Sequence, residues 1–264
     1  MNETELLFTD ILNCSRWSLY LNKDITLRKD QFTRISEALK RRVRGEPVHY
    51  ILGKTEFMGL DFKVSPEVLI PRPETEILVE EVIRQSHKPQ ATSLNILDVG
   101  TGSGCIAISL AKFIKKAAVI ATDISSGALK IAEANAKLNN VIDKIRFIQS
   151  DFFKSYELRA KTYDIIVSNP PYIVSSEIEK LQPEVQYEPR IALDGGKDGL
   201  SSYRKIIEYA PEYLREGGFL ILEMGFGQAP CIKNVFQNSM NFEIIEVVKD
   251  YNNIDRVIVA KKYG

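Results

Sequence analysis

Apolar positions change their spacing twice along the chain, and those changes divide it. Up to about residue 44 they recur at helical intervals. Leu7, Ile11 and Cys14 fall on one face, and Phe32, Ile35, Leu39 and Val43 follow at spacings of 3, 4 and 4. Gly45 and Pro47 end that pattern. From about residue 48 to 70 the apolar stretches are short and broken by Gly53, Gly59 and Pro66, which predicts a β-hairpin-like connector. Pro71-Arg72-Pro73 stops it. Glu74 then opens a helix carrying Ile77, Leu78, Val82 and Ile83, and residues 86–93 (SHKPQATS) are polar and turn-forming.

Beyond residue 93 strand and helix alternate. The predicted strands cover 95–99, 118–123, 145–150, 164–168 and 218–223, with helices at 104–114 and 126–139 among those between. LNILDV and YDIIV are apolar without alternation, the pattern of strands buried on both faces in a parallel sheet. Such alternation predicts an α/β, doubly wound domain. FEIIEVV and RVIVAKK flank KDYNNID and predict an antiparallel pair closing the sheet. The expected division is a helical domain over 1–47, a β-hairpin and helical connector over 48–86, and a Rossmann-like domain over 87–264.

Composition narrows the partners. The 264 residues exceed one ordinary domain, and 44% hydrophobic with 27% charged residues excludes disordered and low-complexity classes. Basic and acidic side chains balance at 35 each, and residues 1–86 alone hold 13 and 14. Neither part is a basic module, which argues against bulk electrostatic binding of nucleic acid or an anionic membrane. Cys14, Cys105 and Cys231 are widely spaced, with no CxxC or Cys/His cluster, so neither a disulfide framework nor a metal site is expected. The first residues, MNETELLF, are acidic, and no apolar run approaches about 18 residues. The expectation is a cytoplasmic protein with no signal peptide and no membrane span. The basic run Lys40–Arg44 sits in a last helical turn, where cations are favoured by the helix dipole. A solvated helix end and a contact with RNA or a charged protein both fit it.

Candidate chemistry starts where the first strand runs into Asp98-Val99-Gly100-Thr101-Gly102-Ser103-Gly104-Cys105. Alternate glycines let backbone approach a ligand closely at the carboxyl edge of the sheet, where doubly wound folds bind ligands. No Gly-Lys-Ser/Thr follows, so this is not a phosphate loop, and from Gly100 the third glycine is Gly104, one short of the dinucleotide spacing. Asp123 ends the second strand, 19 residues after Gly104. A carboxylate there accepts from both ribose hydroxyls, which serves NAD and S-adenosylmethionine equally. Asp151 and Phe152, after the third strand, suit the amine and face of an adenine.

The fourth strand ends in Ser168-Asn169-Pro170-Pro171-Tyr172. Asn169 leaves the sheet at the cleft, and two prolines remove two donors while stiffening the loop. A carboxamide oxygen, a proline carbonyl and an aromatic ring suit an NH2 group on a flat, conjugated moiety. With the glycine loop and Asp123, this tetrapeptide resembles the S-adenosylmethionine-dependent amino-methyltransferases of DNA adenine, RNA guanine and protein glutamine. It does not choose among them.

The flanking sequence does. GEPVHYILGKTEFMGLDFKVSPEVLIPRPETEILVE, DVGTGSGCIAISLA, SNPPYI, EPRIALDGGKDGLSSYRKI and KDYNNIDRVIVAKK resemble the peptide chain release factor glutamine-N5 methyltransferase family from about residue 45 to the end. The resemblance implies a seven-stranded class I methyltransferase domain behind a small helical substrate-recognition domain and a hairpin connector. It implies S-adenosylmethionine as methyl donor and, as substrate, the Gly-Gly-Gln glutamine of class 1 release factors in translation termination. It further implies that Gly100, Thr101, Gly102, Ser103 and Gly104 line the cofactor, with Asp123 on its ribose, Asp151 and Phe152 beside its adenine, and Asn169 close by. Asn169, Pro170, Pro171 and Tyr172 would hold the glutamine amide, with Asn169, Pro170 and Tyr172 catalytic. Phe57 and the Pro71–Thr75 run, Arg72 included, would close over the site. A monomer without direct nucleic-acid contact is expected. Where the family often carries Asn-Gly before the final strand, this chain has Asn252-Asn253.

Overall fold

A computed structural model describes residues 2–21, 25–87, 93–160 and 162–264. Helices α1 (Glu3–Leu12), α2 (Arg16–Leu21), α3 (Lys29–Val43) and the short α4 (Val48–Leu52) come first. Asn2 caps α1 reciprocally with Glu5, Oδ1 accepting from the Glu5 amide at 2.8 Å and Glu5 Oε2 from the Asn2 amide at 3.1 Å. Leu7, Ile11, Ile35, Ala38 and Val48 form a small core. Cys14 lies past the end of α1, which Asn13 terminates at φ 50°.

The buried face of α3 differs from the apolar stripe in its sequence. Ile35 is buried, whereas Phe32, Leu39 and Val43 are 62%, 41% and 87% exposed. Packing against α1 and α4 selects the sector Gln31–Ile35–Ala38, and Gln31 is drawn inward because Oε1 accepts from the Arg28 amide at 3.0 Å. Trp17, Tyr20 and Leu21 of α2 are exposed as well. The basic run is not simply solvated. Arg41 pairs with Glu46, Arg42 with Glu3 and Glu184, and the Arg44 carbonyl accepts from the Tyr187 hydroxyl at 3.0 Å.

The connector is part helix. Residues 48–52 turn as α4 because the Pro47 carbonyl accepts from the Tyr50 and Ile51 amides, and Gly53 at φ 72° ends it. The hairpin follows as β1 (Lys54–Phe57) and β2 (Leu60–Lys63) around Met58-Gly59, both at positive φ, as a two-residue hairpin turn requires. Helix α5 (Pro73–Ser86) starts on a proline, which lacks a donor only where none is needed. Of the polar stretch 86–93, residues 88–92 lie outside the described residues.

Then come β3 (Leu94–Val99), α6 (Cys105–Phe113), β4 (Ala117–Asp123), α7 (Ser126–Leu138), β5 (Ile145–Gln149) and β6 (Tyr163–Ser168). Short helices α8 (Pro183–Gln186) and α9 (Arg190–Leu193) precede α10 (Ser201–Tyr213), β7 (Leu214–Glu223), α11 (Ala229–Ser239), β8 (Phe242–Lys249) and β9 (Asp255–Lys262). The sheet has seven strands in the order β5-β4-β3-β6-β7-β9-β8. The first five are parallel, and β9 inserts antiparallel between β7 and the edge strand β8. Strand β7 begins four residues earlier than its sequence suggests, with a register shift across a bend where Gly217 has φ 68°. The Asn252-Asn253 turn holds, Asn253 taking φ 62°, a conformation asparagine tolerates better than most residues.

Each face of the sheet carries its own core. On one side α5, α6 and the hairpin phenylalanines pack, and on the other α10 and α11. All of β6 is buried, which explains why its apolar residues do not alternate with polar ones. Strand order reverses between β3 and β6, so helices diverge there and a crevice opens at the strands' carboxyl ends. Among the described residues no helix is long and apolar enough to cross a membrane.

Candidate active site

That crevice is a cavity of about 470 Å³. At the β3 end the loop after Val99 turns back on β4, the Gly100 and Thr101 amides both donating to the Thr122 carbonyl at 2.9 and 2.8 Å. Gly100 and Gly102, at φ 77° and 55°, have nothing within 4 Å where a Cβ would sit, so bare backbone faces the opening. Thr101 and Ser103 complete this wall. Gly104 does not line it. Its φ of 83° and a would-be Cβ 2.9 Å from Ile108 Cδ1 and 3.1 Å from Ala132 Cβ show a glycine kept for packing α6 close to α7.

Asp123 lines the cavity from the end of β4. Its Oδ2 accepts from the Gly102 amide at 2.8 Å and Oδ1 from the Ser125 amide at 2.9 Å, while Ser125 itself caps α7. Burial raises the Asp123 carboxyl above its ordinary range, and the amides of Ser125, Gly102 and Ile124 pull against that. Both oxygens are fixed and keep lone pairs for further donors. Asp151 and Phe152 follow β5 as expected. Phe152 takes φ 52°, Asp151 pairs with Lys154, and the Lys205 ammonium sits 5.1 Å from the Phe152 ring centre.

Two buried groups behind the loop were not legible as site residues. Asn135 of α7 donates to the Lys63 and Ser103 carbonyls and accepts from the Lys63 amide, tying hairpin to glycine loop. Asp98 is wholly enclosed. Its Oδ2 accepts from the Thr101 hydroxyl at 2.6 Å, Oδ1 has no hydrogen-bond partner among the described residues, and burial pushes its carboxyl up to about 7.

At the β6 end Asn169, Pro170 and Pro171 line the cavity, facing Arg72 and Thr75. Asn169 Nδ2 donates to Thr75 Oγ1 at 3.2 Å, and the Ser168 hydroxyl anchors the strand end to the Val99 carbonyl at 2.6 Å. Arg72 pairs at 2.7 Å with Glu188, whose side chain is 1% exposed, joining the Pro71–Thr75 run to the segment carrying Pro189, Ile191 and Ala192 on the opposite wall.

Tyr172 and Phe57 are placed differently from expectation. Tyr172 packs half-buried against the α10 side of the sheet, and burial pushes its hydroxyl up to about 12. Its backbone is hemmed in: a Cβ on Gly195 or Gly199 would come within 2.7 Å of the Tyr172 Cα or 2.5 Å of its carbonyl oxygen. Close approach to this loop accounts for Gly195 and Gly199 of DGGKDG, while Gly196, at φ 87°, is packed against Ser201. Phe57 is 2% exposed, edge-on to Phe62 at 6.1 Å, and lies against a separate cleft with His49 and Pro73. A hairpin needs such a ring to seal its inner face, so Phe57 serves the core.

The residues present fit an adenosine-bearing sulfonium donor. A bare-backbone cradle, a fixed carboxylate at Asp123 and a buried Ser103 hydroxyl with no hydrogen-bond partner among the described residues open on one space. The neighbouring carboxamide and proline carbonyls supply acceptors for an NH2 group.

Comparison with known proteins narrows the class. The methyltransferase small domain model matches residues 73–184, and the PrmC N-terminal domain model matches 1–53. The release factor glutamine methyltransferase of Geobacter sulfurreducens is 44% identical over 257 residues, covering 97% of this chain and 87% of that protein. That of Thermodesulfovibrio yellowstonii is 42% identical over 264 residues, covering 99% and 92%. A methyltransferase crystal structure from Pyrococcus furiosus, 19% identical, shares the fold with a TM-score of 0.58 over 90% of this chain and 100% of that one. Near-complete coverage at this identity settles descent, and the chain belongs to the release factor glutamine methyltransferase family.

Proposed function

We propose that this chain methylates the side-chain amide nitrogen, N5, of the Gly-Gly-Gln glutamine in class 1 peptide chain release factors. The observation that carries this reading is one cavity lined at one end by Gly100–Ser103 and Asp123 and at the other by Asn169, Pro170 and Pro171. S-adenosylmethionine, when bound, supplies a methyl group already activated by its sulfonium. Gly100, Thr101, Gly102 and Ser103 hold it by backbone approach, Asp123 takes its ribose hydroxyls, and Asp151 and Phe152 take its adenine.

An amide nitrogen is a poor nucleophile because its lone pair is shared with the carbonyl, so the protein's task is orientation. The Asn169 carboxamide oxygen and the Pro170 carbonyl accept from the substrate NH2. As that nitrogen becomes positive its N–H groups donate more strongly, so these acceptors favour the transition state over the ground state. The surplus proton is very acidic and leaves to water, which is why no histidine is required. Pro171 and Arg72 shape the substrate side, and Tyr172 anchors the loop from behind.

The exposed Trp17, Tyr20, Leu21, Phe32, Leu39 and Val43 suit the helical domain (1–47) to a protein partner. The connector (48–86) carries the Pro71–Thr75 run, and the domain over 87–264 holds the chemistry. The protein acts as a cytoplasmic monomer without direct nucleic-acid contact. Mass spectrometry of release factors incubated with the protein and S-adenosylmethionine tests this, with one added CH2 expected on the glutamine. Transfer to an oligonucleotide but not to a release factor overturns it.

A further inference from the structure

We infer that Glu223 is a positioning residue for Asn169, holding its carboxamide through the Thr75 hydroxyl so that Oδ1 is left for the substrate amide. The inference rests on the reading above. Glu223 ends β7 beside the end of β6, the register pairing Leu222 with Ser168 one residue earlier on each strand. It is 1% exposed, its Oε2 is enclosed without a partner among the described residues, and it does not line the cavity. Thr75 is 2% exposed, and its hydroxyl oxygen accepts from Asn169 Nδ2. Thr75 and Asn169 are two side chains that hold the Glu223 carboxyl down against its burial.

A carboxamide presents a donor and an acceptor of nearly equal size, and only one of them helps here. An ionised carboxylate accepts only. It therefore turns the Thr75 hydroxyl toward itself, which leaves Thr75 Oγ1 to accept from Asn169 Nδ2, as observed at 3.2 Å. The Asn169 oxygen is then the free end. A protonated Glu223 can run the same relay backwards, donating to Thr75, which donates to Asn169 Oδ1 and turns the NH2 group toward a substrate NH2. Donor would then face donor.

The surroundings make that protonation accessible. Burial raises the Glu223 carboxyl to about 7 against the pull of Thr75, Arg256 and Asn169, and Glu74 adds to the rise. Arg256 of β9 is itself committed to Asp250 at 3.0 Å. Tyr203 of α10 donates its hydroxyl to the Glu223 carbonyl at 2.9 Å, and Tyr172 and the buried Cys105 are further titratable neighbours.

The test compares wild type with the isosteric Glu223→Gln across pH, using a release factor as substrate. Turnover of wild type should fall as pH drops through about 7, and the variant should lack that limb while losing about tenfold in kcat at about pH 8, for one mispaired buried polar group. KM for the release factor and calorimetric S-adenosylmethionine affinity should stay unchanged. Full turnover in Glu223→Gln, or an identical acidic limb, overturns the inference. A second readout needs no substrate. The Asn169 side-chain amide NMR resonance, identified by its loss in Asn169→Ala, should titrate in wild type and not in Glu223→Gln. A resonance that does not titrate overturns the inference even if release factors are methylated. One that titrates in a protein giving no methyl transfer supports it and sinks the substrate reading alone.

Discussion

At the β3–β4 end, the cavity wall is backbone from one unbroken stretch, residues 100–103, closed by the carboxylate of Asp123. At the β6–β7 end it is assembled from side chains, with Asn169 from one loop, Thr75 and Arg72 from the connector, and Pro189 and Ile191 from the segment before α10. The first end is rigid because glycines and strand ends fix it locally. The second is rigid only as long as distant segments stay docked through Arg72–Glu188 and the Thr75–Asn169 contact. Binding a cofactor common to many enzymes tolerates a local solution. Orienting one weak nucleophile requires acceptors on several sides, so its support is spread through the chain.

Breaking the reaction end should cost most. Asn169→Ala should lower kcat a hundredfold to a thousandfold, about 2.7–4 kcal/mol by analogy with oriented oxyanion donors, while calorimetric affinity for S-adenosylmethionine stays within about twofold. Equal loss of both would mean that the two ends do not divide their work. Asp123→Ala should do the reverse. It removes charge-assisted hydrogen bonds worth about 1.5–3 kcal/mol, so cofactor affinity should weaken roughly tenfold to a hundredfold, with kcat largely recovered at saturating cofactor.

The same contrast decides how much the sequence revealed. The glycine loop, Asp123 and Asn169 were legible because each sits where a predicted strand ends, and strand ends at a switch point face the crevice. Glu223 also ends a strand, yet nothing near it in sequence marks it. Its meaning comes from Thr75, which the fold brings to it from the connector. The aromatic residues misled for a related reason. Phe57 and Tyr172 stand beside motif residues, but whether a ring faces a cavity or a core depends on which neighbouring segments press against it, here Phe62 and the glycines at 195 and 199. The stripe on α3 misled in the opposite sense, since packing chose Gln31 and Ala38 over Phe32 and Val43.

A smaller effect should follow from undocking the spread-out end. Arg72→Met leaves the Glu188 carboxylate enclosed without its partner. Breaking a buried pair costs about 3–5 kcal/mol, but Arg72 is 36% exposed, so a loss of about 1–3 kcal/mol in denaturant unfolding is expected. Burial already raises the Glu188 carboxyl, so the deficit should shrink as pH is lowered and the group takes a proton. Arg72→Met with Glu188→Gln should recover most of it. A single variant as stable as wild type would show that the wall does not depend on this pair.

The smallest effect concerns a carboxyl that each end has enclosed. Asp98 behind the glycine loop and Glu223 behind Asn169 are both pushed up to about 7, chiefly by burial, with Asp123 adding to the first and Glu74 to the second. In the unfolded chain both titrate near ordinary carboxyl values. A group with a raised folded pKa stabilises the fold fully below its unfolded pKa, and that contribution is lost as pH rises through the folded value. Without cofactor, the melting temperature should therefore climb by a few degrees between about pH 8 and about pH 5, before carboxylates held low, such as the exposed Asp198 and the buried Asp250, begin to protonate and oppose it. Asp98→Asn and Glu223→Gln should each remove part of the slope. The two differ in what else they change. Asp98→Asn should alter cofactor affinity, since Asp98 holds Thr101 in the cradle wall, while Glu223→Gln should leave it alone. If either substitution leaves the slope intact, that carboxyl is not the group taking up the proton.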